Sequence, residues 1–306
     1  MKRLTLLSVS LCICISLAGQ QTLDIFTISG RYGFPQSYDS ILTNKAKEYG
    51  CMVSLVAPVK FSEKTIWVNS INYFYWHVSN DEELPPEIAN PISLHGFLFR
   101  TGLYQKFSKG RAIQLLIAPR LMSDLNNIDR NSFQFGGMAT YEKKFRDNLT
   151  MSFGVMYNQE LFGPYVVPLI NLNWQLSERW SIVGLLPVYA KVNYKASERF
   201  TVGISHFGLI TTYSLGNPDY KGDYIERKSI DLALFGRCRL VGNIYIEGRI
   251  GHSLSRSYAQ YEADQKVDFS LPLVGFGDNR EQKNITFNDG LIANLRLVYN
   301  ILLPEE

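Results

Sequence analysis

Charged side chains occur at alternate positions in the last third of the chain, and these residues have the clearest chemical capacity. From Ile230 to Ile250 apolar and polar residues alternate, with one interruption at Gly242-Asn243. Alternation on both sides of a two-residue turn predicts a β-hairpin with one apolar and one polar face. Five charged residues fall on the polar face: Asp231, Arg237, Arg239, Glu247 and Arg249.

The same alternation in other segments adds five charged positions: Arg31, Arg100, Arg120, Glu142 and Arg296. The polar face of a strand meets bulk water in a soluble sandwich, but it lines a wet interior in an outer-membrane barrel. In a barrel these ten residues are candidate lumen-lining residues, and their excess of arginine favours small polar or anionic solutes. Alternatively they pair across strands and rigidify a filled barrel, since the arginine fork suits carboxylates equally well.

Histidine and serine give little support for catalysis. The four histidines are His77, His95, His206 and His252. Two of them adjoin a serine, in Ser205-His206 and His252-Ser253, but adjacent residues of a strand point to opposite faces. Serines two or three residues from His95 and His252 leave a membrane-embedded lipid-modifying enzyme as an alternative, which needs such a pair on the lipid-facing side. We predict no catalytic residues.

Composition argues against several other classes of protein. No two histidines or cysteines have metal-ligand spacing, and the glycine-rich residues 275–278 are not followed by a helix, so we predict no metal site and no cofactor. A net charge of +3 gives no reason to expect nucleic acid as a partner. Of the four cysteines, Cys12 and Cys14 lie in the apolar run at the amino terminus, and the remaining Cys51 and Cys238 are too few for a disulfide framework.

The amino terminus predicts export. It begins Met1-Lys2-Arg3, continues with an uncharged apolar run over residues 4–17, and reaches small residues at 16–18. This is the pattern of a secretory signal peptide. We therefore expect residues 1–18 to be removed and residues 19–306 to form one domain. The run is too short to be a spanning helix, and no comparable apolar run follows it.

The spacing of the alternating segments predicts the topology. Short turns are expected at residues 62–64, 108–110, 146–148, 177–178, 196–198 and 242–243, and longer loops at 34–47, 78–92, 122–131, 159–164, 214–223 and 255–289. The two kinds alternate if Leu186-Pro187 is one short connection on the loop side, and outer-membrane barrels show this asymmetry. The prediction is an all-β fold: a transmembrane antiparallel up-and-down β-barrel of about fourteen strands, with twelve as the fallback.

Aromatic residues near the predicted strand ends support a membrane location. We expect eight of them to form interfacial girdles: Tyr49, Phe61, Trp76, Phe107, Trp174, Trp180, Phe200 and Tyr299. Such residues place an apolar ring in lipid and a polar tip among the headgroups. A soluble β-sandwich would more often bury its tryptophans in the middle of strands.

The carboxyl-terminal region resembles a known family. The residues that carry the resemblance are 271–279 (LPLVGFGDN), 287–290 (FNDG) and 294–300 (NLRLVYN). They are similar to an uncharacterised exported family of Gram-negative bacteria, known only as an outer-membrane β-barrel domain of unknown function. The resemblance implies a location and a fold, but no activity and no functional residues. The chain departs from many such barrels because it ends Leu303-Pro304-Glu305-Glu306 rather than on an aromatic residue.

These observations predict a monomeric barrel in the bacterial outer membrane, surrounded by outer-membrane lipid, that acts as a channel or transporter for small solutes. Residues 255–289 are expected to form a constriction or lid at its mouth. A lipid-modifying enzyme and a non-conducting structural or binding barrel are the alternatives. Loss of a lipid-hydrolysing activity on substitution of His252 or His95 would favour the enzyme.

Overall fold

The computed structural model of the chain describes residues 22–38, 45–79, 92–220 and 222–302. Within these residues the structure is a closed antiparallel barrel of fourteen strands. The predicted signal peptide, residues 1–18, lies outside the described residues and stays a prediction. In the part of the chain that is described, no helix is long and apolar enough to cross a membrane.

The fourteen barrel strands follow one another along the chain. They are β1 (Thr22–Ser37), β2 (Lys45–Val56), β3 (Thr65–Ser79), β4 (Ile92–Ser108), β5 (Arg111–Ile117, continued by Arg120–Ser123), β6 (Phe133–Gln134, continued by Gly136–Arg146), β7 (Leu149–Glu160), β8 (Gly163–Gln175), β9 (Trp180–Leu186), β10 (Tyr189–Lys195), β11 (Phe200–Ser214), β12 (Tyr224–Val241), β13 (Ile244–Tyr261) and β14 (Gly290–Leu302). The two-residue segment Val59–Lys60 also pairs with β3, and a small hairpin (Phe269–Leu271 and Val274–Phe276) lies in the last loop.

The barrel closes by pairing its first strand with its last. Thr22 lies opposite Leu302 and Gly33 opposite Ile292 in an antiparallel ladder between β1 and β14. Every other strand pairs with the strands before and after it in the sequence. The predicted transmembrane up-and-down topology with fourteen strands is therefore confirmed.

Side-chain alternation assigns the two faces of the wall. On β12 the side chains of Leu232 and Leu234 are exposed on the outside, whereas those of Ala233 and Phe235 are buried inside. Other strands expose Leu115, Ile117, Phe153, Ile204, Ile250 and Leu295 in the same way. A continuous apolar band of this kind would be unstable in water, but it matches the hydrocarbon region of a membrane.

The connections differ between the two ends of the barrel. At the short-turn end the chain reverses at residues 61–64, 109–110, 147–148, 176–179, 196–199 and 242–243. The loop end has the longer connections, with two exceptions: a turn at Leu161-Phe162 and one at Pro187-Val188. The predicted loop at 159–164 was thus wrong, because the ladder between β7 and β8 continues from Leu149 to Glu160. The predicted loop at 255–289 begins only at residue 262, since β13 extends to Tyr261.

One predicted girdle residue has a different environment. Trp76 faces the interior of the barrel and is only 4% exposed. The guanidinium carbon of Arg227 lies 3.5 Å from the centre of its ring. This cation–π contact explains why a large aromatic residue near a strand end turns away from the lipid. Of the other predicted girdle residues, those that are clearly exposed are Tyr49, Phe61, Phe107, Trp180, Phe200 and Tyr299.

A charge placed on the outer face should destabilise the barrel. Leu234 is 63% exposed near the middle of β12. We expect Leu234→Arg to lower the free energy of unfolding by about 2–4 kcal/mol, because the guanidinium would enter the hydrocarbon region. Urea unfolding of the barrel folded into lipid vesicles measures the change.

Ala196→Arg, in an exposed turn at the short-turn end, is the matched control and should change stability little. Equal effects of the two substitutions would contradict the assignment of the outer face of β12 to lipid.

Candidate functional site

A cavity of about 1340 Å³ occupies the barrel interior. Its lining includes Lys109, Asp147 and Arg179, which belong to turns or strand ends at the short-turn end, so the cavity opens there. In the opposite direction its lining extends to Arg31 and Trp76. Pockets for small ligands usually occupy about 300–1,000 Å³, so this space accommodates a small solute together with water.

Basic side chains predominate in the lining of the cavity. It contains thirteen lysines and arginines but only six aspartates and glutamates. The low-dielectric wall of a barrel focuses the field of such charges and raises the local concentration of ions of opposite sign. The net charge of the cavity lining is therefore positive.

Glu247 lies at the centre of a group of charges on the cavity wall. Its fully buried carboxylate accepts a hydrogen bond from Lys191 Nζ at 2.8 Å. Arg249 Nε and Arg296 Nη1 donate to the other oxygen at 2.7 and 2.8 Å. Arg237 and Arg296 lie directly opposite Glu247 on the two neighbouring strands, so the ladder itself brings these three residues together.

Asp24 extends this group to the first strand. Its carboxylate accepts a hydrogen bond from Arg237 Nη2 at 2.9 Å, and Arg296 Nη2 lies 3.9 Å from its second oxygen. Lys191, Arg237, Arg249, Arg296, Asp24 and Glu247 are called the mid-lumen cluster below. Its basic side chains are each 16–18% exposed, whereas the side chain of Glu247 is fully buried.

The structure places the ten candidate lumen residues as follows. Seven line the cavity: Arg31, Glu142, Asp231, Arg237, Arg239, Arg249 and Arg296. Glu247 is buried beneath its basic partners, and Arg120 pairs with the buried carboxylate of Glu160 at 2.8 Å. Arg100 is partly buried, and its Nε has no hydrogen-bond partner among the described residues. Cross-strand pairing therefore occupies many of them, and their role toward a solute stays a prediction.

The loop end of the barrel is closed from within by three strand ends. These are residues 209–214 of β11, 224–229 of β12 and 256–261 of β13, called the closing sheet below. Consecutive residues of a strand face opposite sides, yet Thr212 and Tyr213 are both fully buried. Glu226 and Arg227 are likewise at most 2% exposed. Residues 211–214, 224–227 and 258–261 of the closing sheet therefore have neither a lipid-facing nor a water-facing side.

The two faces of the closing sheet pack against different parts of the barrel. Tyr213, Ile225 and Tyr258 belong to one apolar cluster with Trp76, Leu94 and Met122 of β3, β4 and β5. Tyr224, Ala259 and Tyr261 belong to another with Phe162, Tyr165 and Val167, at the turn between β7 and β8 and along β8. Among the described residues, the closing sheet thus separates the cavity from the loop end.

A buried carboxylate attaches the closing sheet to the barrel wall. Glu48 on β2 accepts hydrogen bonds from Arg227 Nη2 at 3.2 Å, Arg256 Nη1 at 3.2 Å and the Tyr258 hydroxyl at 2.6 Å. Arg31 of β1 donates to the same carboxylate at 3.1 Å and also pairs with Asp231. Glu48, Arg31, Arg227, Arg256 and Tyr258 are called the Glu48 cluster below.

Most of the Glu48 cluster was not among the candidate residues. Arg31 was identified by its alternation, but Arg256 fell in a stretch expected to be a loop. Glu48 lies on the same face of β2 as the small residues Ala46 and Gly50. This placement was the signal in the sequence that its side chain points inward. Arg227 stands between glutamate and lysine, where alternation of polar and apolar residues has ended.

The last loop, residues 262–289, is attached to the closing sheet. The Arg280 guanidinium donates to Glu226 at 2.8 Å and lies 4.2 Å from the ring centre of Tyr261. It also forms two hydrogen bonds of 2.9 Å with Asp278, which hold the pKa of that carboxyl below its ordinary value. Lys283 pairs with the buried Asp223 at 2.7 Å.

Residues 37–290 match the family described as "Domain of unknown function (DUF6268)". The chain belongs to this family. Because the match covers most of the described barrel, it confirms the resemblance to an uncharacterised outer-membrane barrel family. No curated protein matches the sequence.

Solved structures that resemble the DUF6268 barrel are outer-membrane proteins of low sequence identity. An outer-membrane channel from Pseudomonas putida F1 is 10% identical, with a TM-score of 0.45 over 91% of this chain and 96% of that one. The Pseudomonas putida toluene transporter TodX is 11% identical, with a TM-score of 0.41 over 90% and 88%. The NanC porin is 10% identical, with a TM-score of 0.37 over 90% and 98%. These values say nothing about a solute.

The histidines of the DUF6268 barrel do not belong to the mid-lumen cluster, although His206 lines the same cavity. His77 Nδ1 hydrogen-bonds Ser93 Oγ at 2.8 Å across β3 and β4, and His95 Nδ1 hydrogen-bonds the Tyr73 hydroxyl at 2.9 Å. No carboxylate hydrogen-bonds His77 among the described residues, so the pair lacks the third group that orients a catalytic base. The described residues also contain no group of histidine, cysteine and acidic side chains able to hold a metal ion.

Removal of the Glu48 charge should release the closing sheet. Glu48→Gln leaves three arginines around an uncharged amide, and breaking a buried ion pair in this way costs about 3–5 kcal/mol. We expect hydrogen–deuterium exchange of residues 209–214, 224–229 and 256–261 to accelerate, while the strand segments at the short-turn end stay protected.

Glu247→Gln is the matched control, because it also neutralises a fully buried carboxylate bound by arginines but makes no contact with the closing sheet. If the closing sheet exchanges at the wild-type rate in Glu48→Gln, the Glu48 cluster does not hold it in place.

Proposed function

We propose that this protein is an outer-membrane channel for small solutes whose lumen favours anions, and that the conformation described above is its closed state. The observation that carries the proposal is the large cavity in which basic residues outnumber acidic ones by about two to one. A barrel built only for mechanical stability would fill this space with side chains or balance its charges. The resemblance to outer-membrane barrels supports the location.

The asymmetry of the barrel supports an orientation. Short turns of bacterial outer-membrane barrels face the periplasm and the longer loops face the outside. In this orientation the cavity is open to the periplasm, and the closing sheet and residues 262–289 stand between it and the exterior. A solute could then enter the lumen from the periplasm, and complete passage requires the closing sheet to move.

The contacts of the closing sheet are compatible with such a movement. It is bound by side chains, chiefly the Glu48 cluster, Thr212 with Glu160, and Arg280 with Glu226. Its backbone pairs with its own three strands rather than with the wall on either side, apart from a single bridge between Ser214 and Ser123. Displacement would therefore leave the main ladder of the barrel intact. We propose that one monomeric barrel in outer-membrane lipid forms the complete channel.

Charge removal at the open end should reduce anion preference. The triple variant Arg111→Gln, Arg179→Gln and Arg199→Gln neutralises three lining residues of the short-turn end. In a planar bilayer with a salt gradient, we expect the reversal potential of wild type to show anion preference and that of the variant to move towards zero.

The control triple variant Lys45→Gln, Lys47→Gln and Arg130→Gln removes the same charge from exposed residues at the loop end. It should keep the wild-type reversal potential. Both measurements are repeated with Glu48→Gln, in which we expect more frequent opening. A folded barrel that carries no current at any voltage, even with Glu48→Gln, would overturn the channel proposal.

A further inference from the structure

We propose that the mid-lumen cluster is a binding site for a small solute that carries two negative charges on oxygen atoms. This inference rests on the proposed function, because it names the class of solute that the same lumen would take. The site consists of Lys191, Arg237, Arg249 and Arg296, with Glu247 buried behind them and Asp24 beside them on the cavity wall.

Charge within the cluster is unbalanced. Four basic side chains surround two carboxylates, which leaves an excess of two positive charges on one part of the wall when all six groups are ionised. An excess of this kind in a low-dielectric interior is unfavourable unless an anion or water compensates it. A dianion would neutralise it, whereas a monoanion would neutralise half and a neutral solute none.

The cluster also has more hydrogen-bond donors than acceptors. Each guanidinium carries five N–H donors and each ammonium three, whereas two carboxylates offer only four oxygens as acceptors. Arg249 directs Nε and Nη2 to Glu247, which leaves its Nη1 without a hydrogen-bond partner in the cluster. All four basic side chains are partly exposed to the cavity, so their spare donors face the space that a solute would occupy.

The geometry of the cluster is fixed before any solute arrives. Arg237, Glu247 and Arg296 stand side by side on β12, β13 and β14, and Arg249 follows two residues along β13 on the same face. Lys191 comes from β10, and its Nζ also lies 4.9 Å from the ring centre of Phe235. Side chains held by a strand ladder and by shared carboxylates lose little entropy on binding. Arginine forks present paired donors, which suits carboxylate and phosphate oxygens.

A purely structural role explains less of this arrangement. Glu247 with one arginine on each neighbouring strand would already form an ion-pair network across β12, β13 and β14, with Arg296 at 2.8 Å and Arg237 at 3.9 Å from its two oxygens. Lys191 hydrogen-bonds the second oxygen, and Arg249 adds a further cation at the oxygen to which Arg296 already donates. These additional cations are what a site for an external anion requires.

Isothermal titration calorimetry on the full-length barrel folded in detergent tests the proposal. The probes are inorganic phosphate and succinate as dianions, acetate as a monoanion, and glucose as a neutral solute. We expect both dianions to bind more tightly than acetate, and glucose to give no heat. Arg249→Gln and Arg296→Gln should each weaken dianion binding about tenfold, the loss expected for one charge-assisted hydrogen bond.

Arg239→Gln is the control, because Arg239 lines the same cavity near the turn at Gly242, outside the cluster. It should bind succinate as wild type does. Arg249→Lys keeps the charge but not the fork and should recover part of the affinity, which separates binding from folding. Binding that is equal for acetate and succinate, or unchanged in both glutamine variants, would overturn the proposal.

The outcomes for the site and for the channel are independent. Anion-selective currents without dianion binding would overturn the site and leave the channel proposal standing. Dianion binding that is lost in Arg249→Gln, in a barrel that never conducts, would keep the site and overturn the channel.

Discussion

Lipid offers no hydrogen-bond partners, so no strand edge of this barrel can be left open within a membrane. Strand β9 ends at Leu186 and strand β10 begins at Tyr189. The part of β11 nearest the loop end therefore has no neighbouring strand on that side. Thr212 N donates instead to the Glu160 carboxylate, and the carbonyl of Ser214 accepts from Asp124 N. These partners lie inside the barrel or at its mouth. The short β9–β10 hairpin therefore explains why the closing sheet turns inward.

The other edge of the closing sheet, on β13, also needs hydrogen-bond partners for its backbone. Strand β13 pairs with β14 only as far as Ser253, and its remaining residues have no neighbouring strand on that edge. The last loop supplies the partners, since Asp289 accepts from the backbone of Ser255 and Arg256, and Asn284 accepts from Gln260 N. Because both edges use side-chain acceptors, this part of the barrel carries buried carboxylates and amides where an ordinary wall would carry apolar residues.

Alternation predicted the strands well because a barrel wall has lipid on one side and a polar interior on the other. It predicted the hairpin at Gly242-Asn243, the inward face of β12 and β13, and the number of strands. It did not identify the closing sheet, because both faces of residues 224–227 and 258–261 are buried and the residue types no longer alternate. The partners of Trp76 depended on contacts between segments about 150 residues apart in the sequence, which no local pattern contains.

Two buried glutamates organise the lumen charges differently. Glu48 is shared by three arginines, two of them on the closing sheet, and Asp231 supplies a second carboxylate nearby. In this region the carboxylates compensate most of the positive charge of the arginines. Such compensation is expected of a contact that joins two parts of one chain. The mid-lumen cluster combines two carboxylates with four cations that remain partly exposed to the cavity. Since buried charge is costly unless it is paired, the uncompensated excess is tolerable only where water or an anion has access. The charge balance therefore distinguishes the Glu48 cluster, which joins the closing sheet to the wall, from the mid-lumen cluster, where we propose that a solute binds.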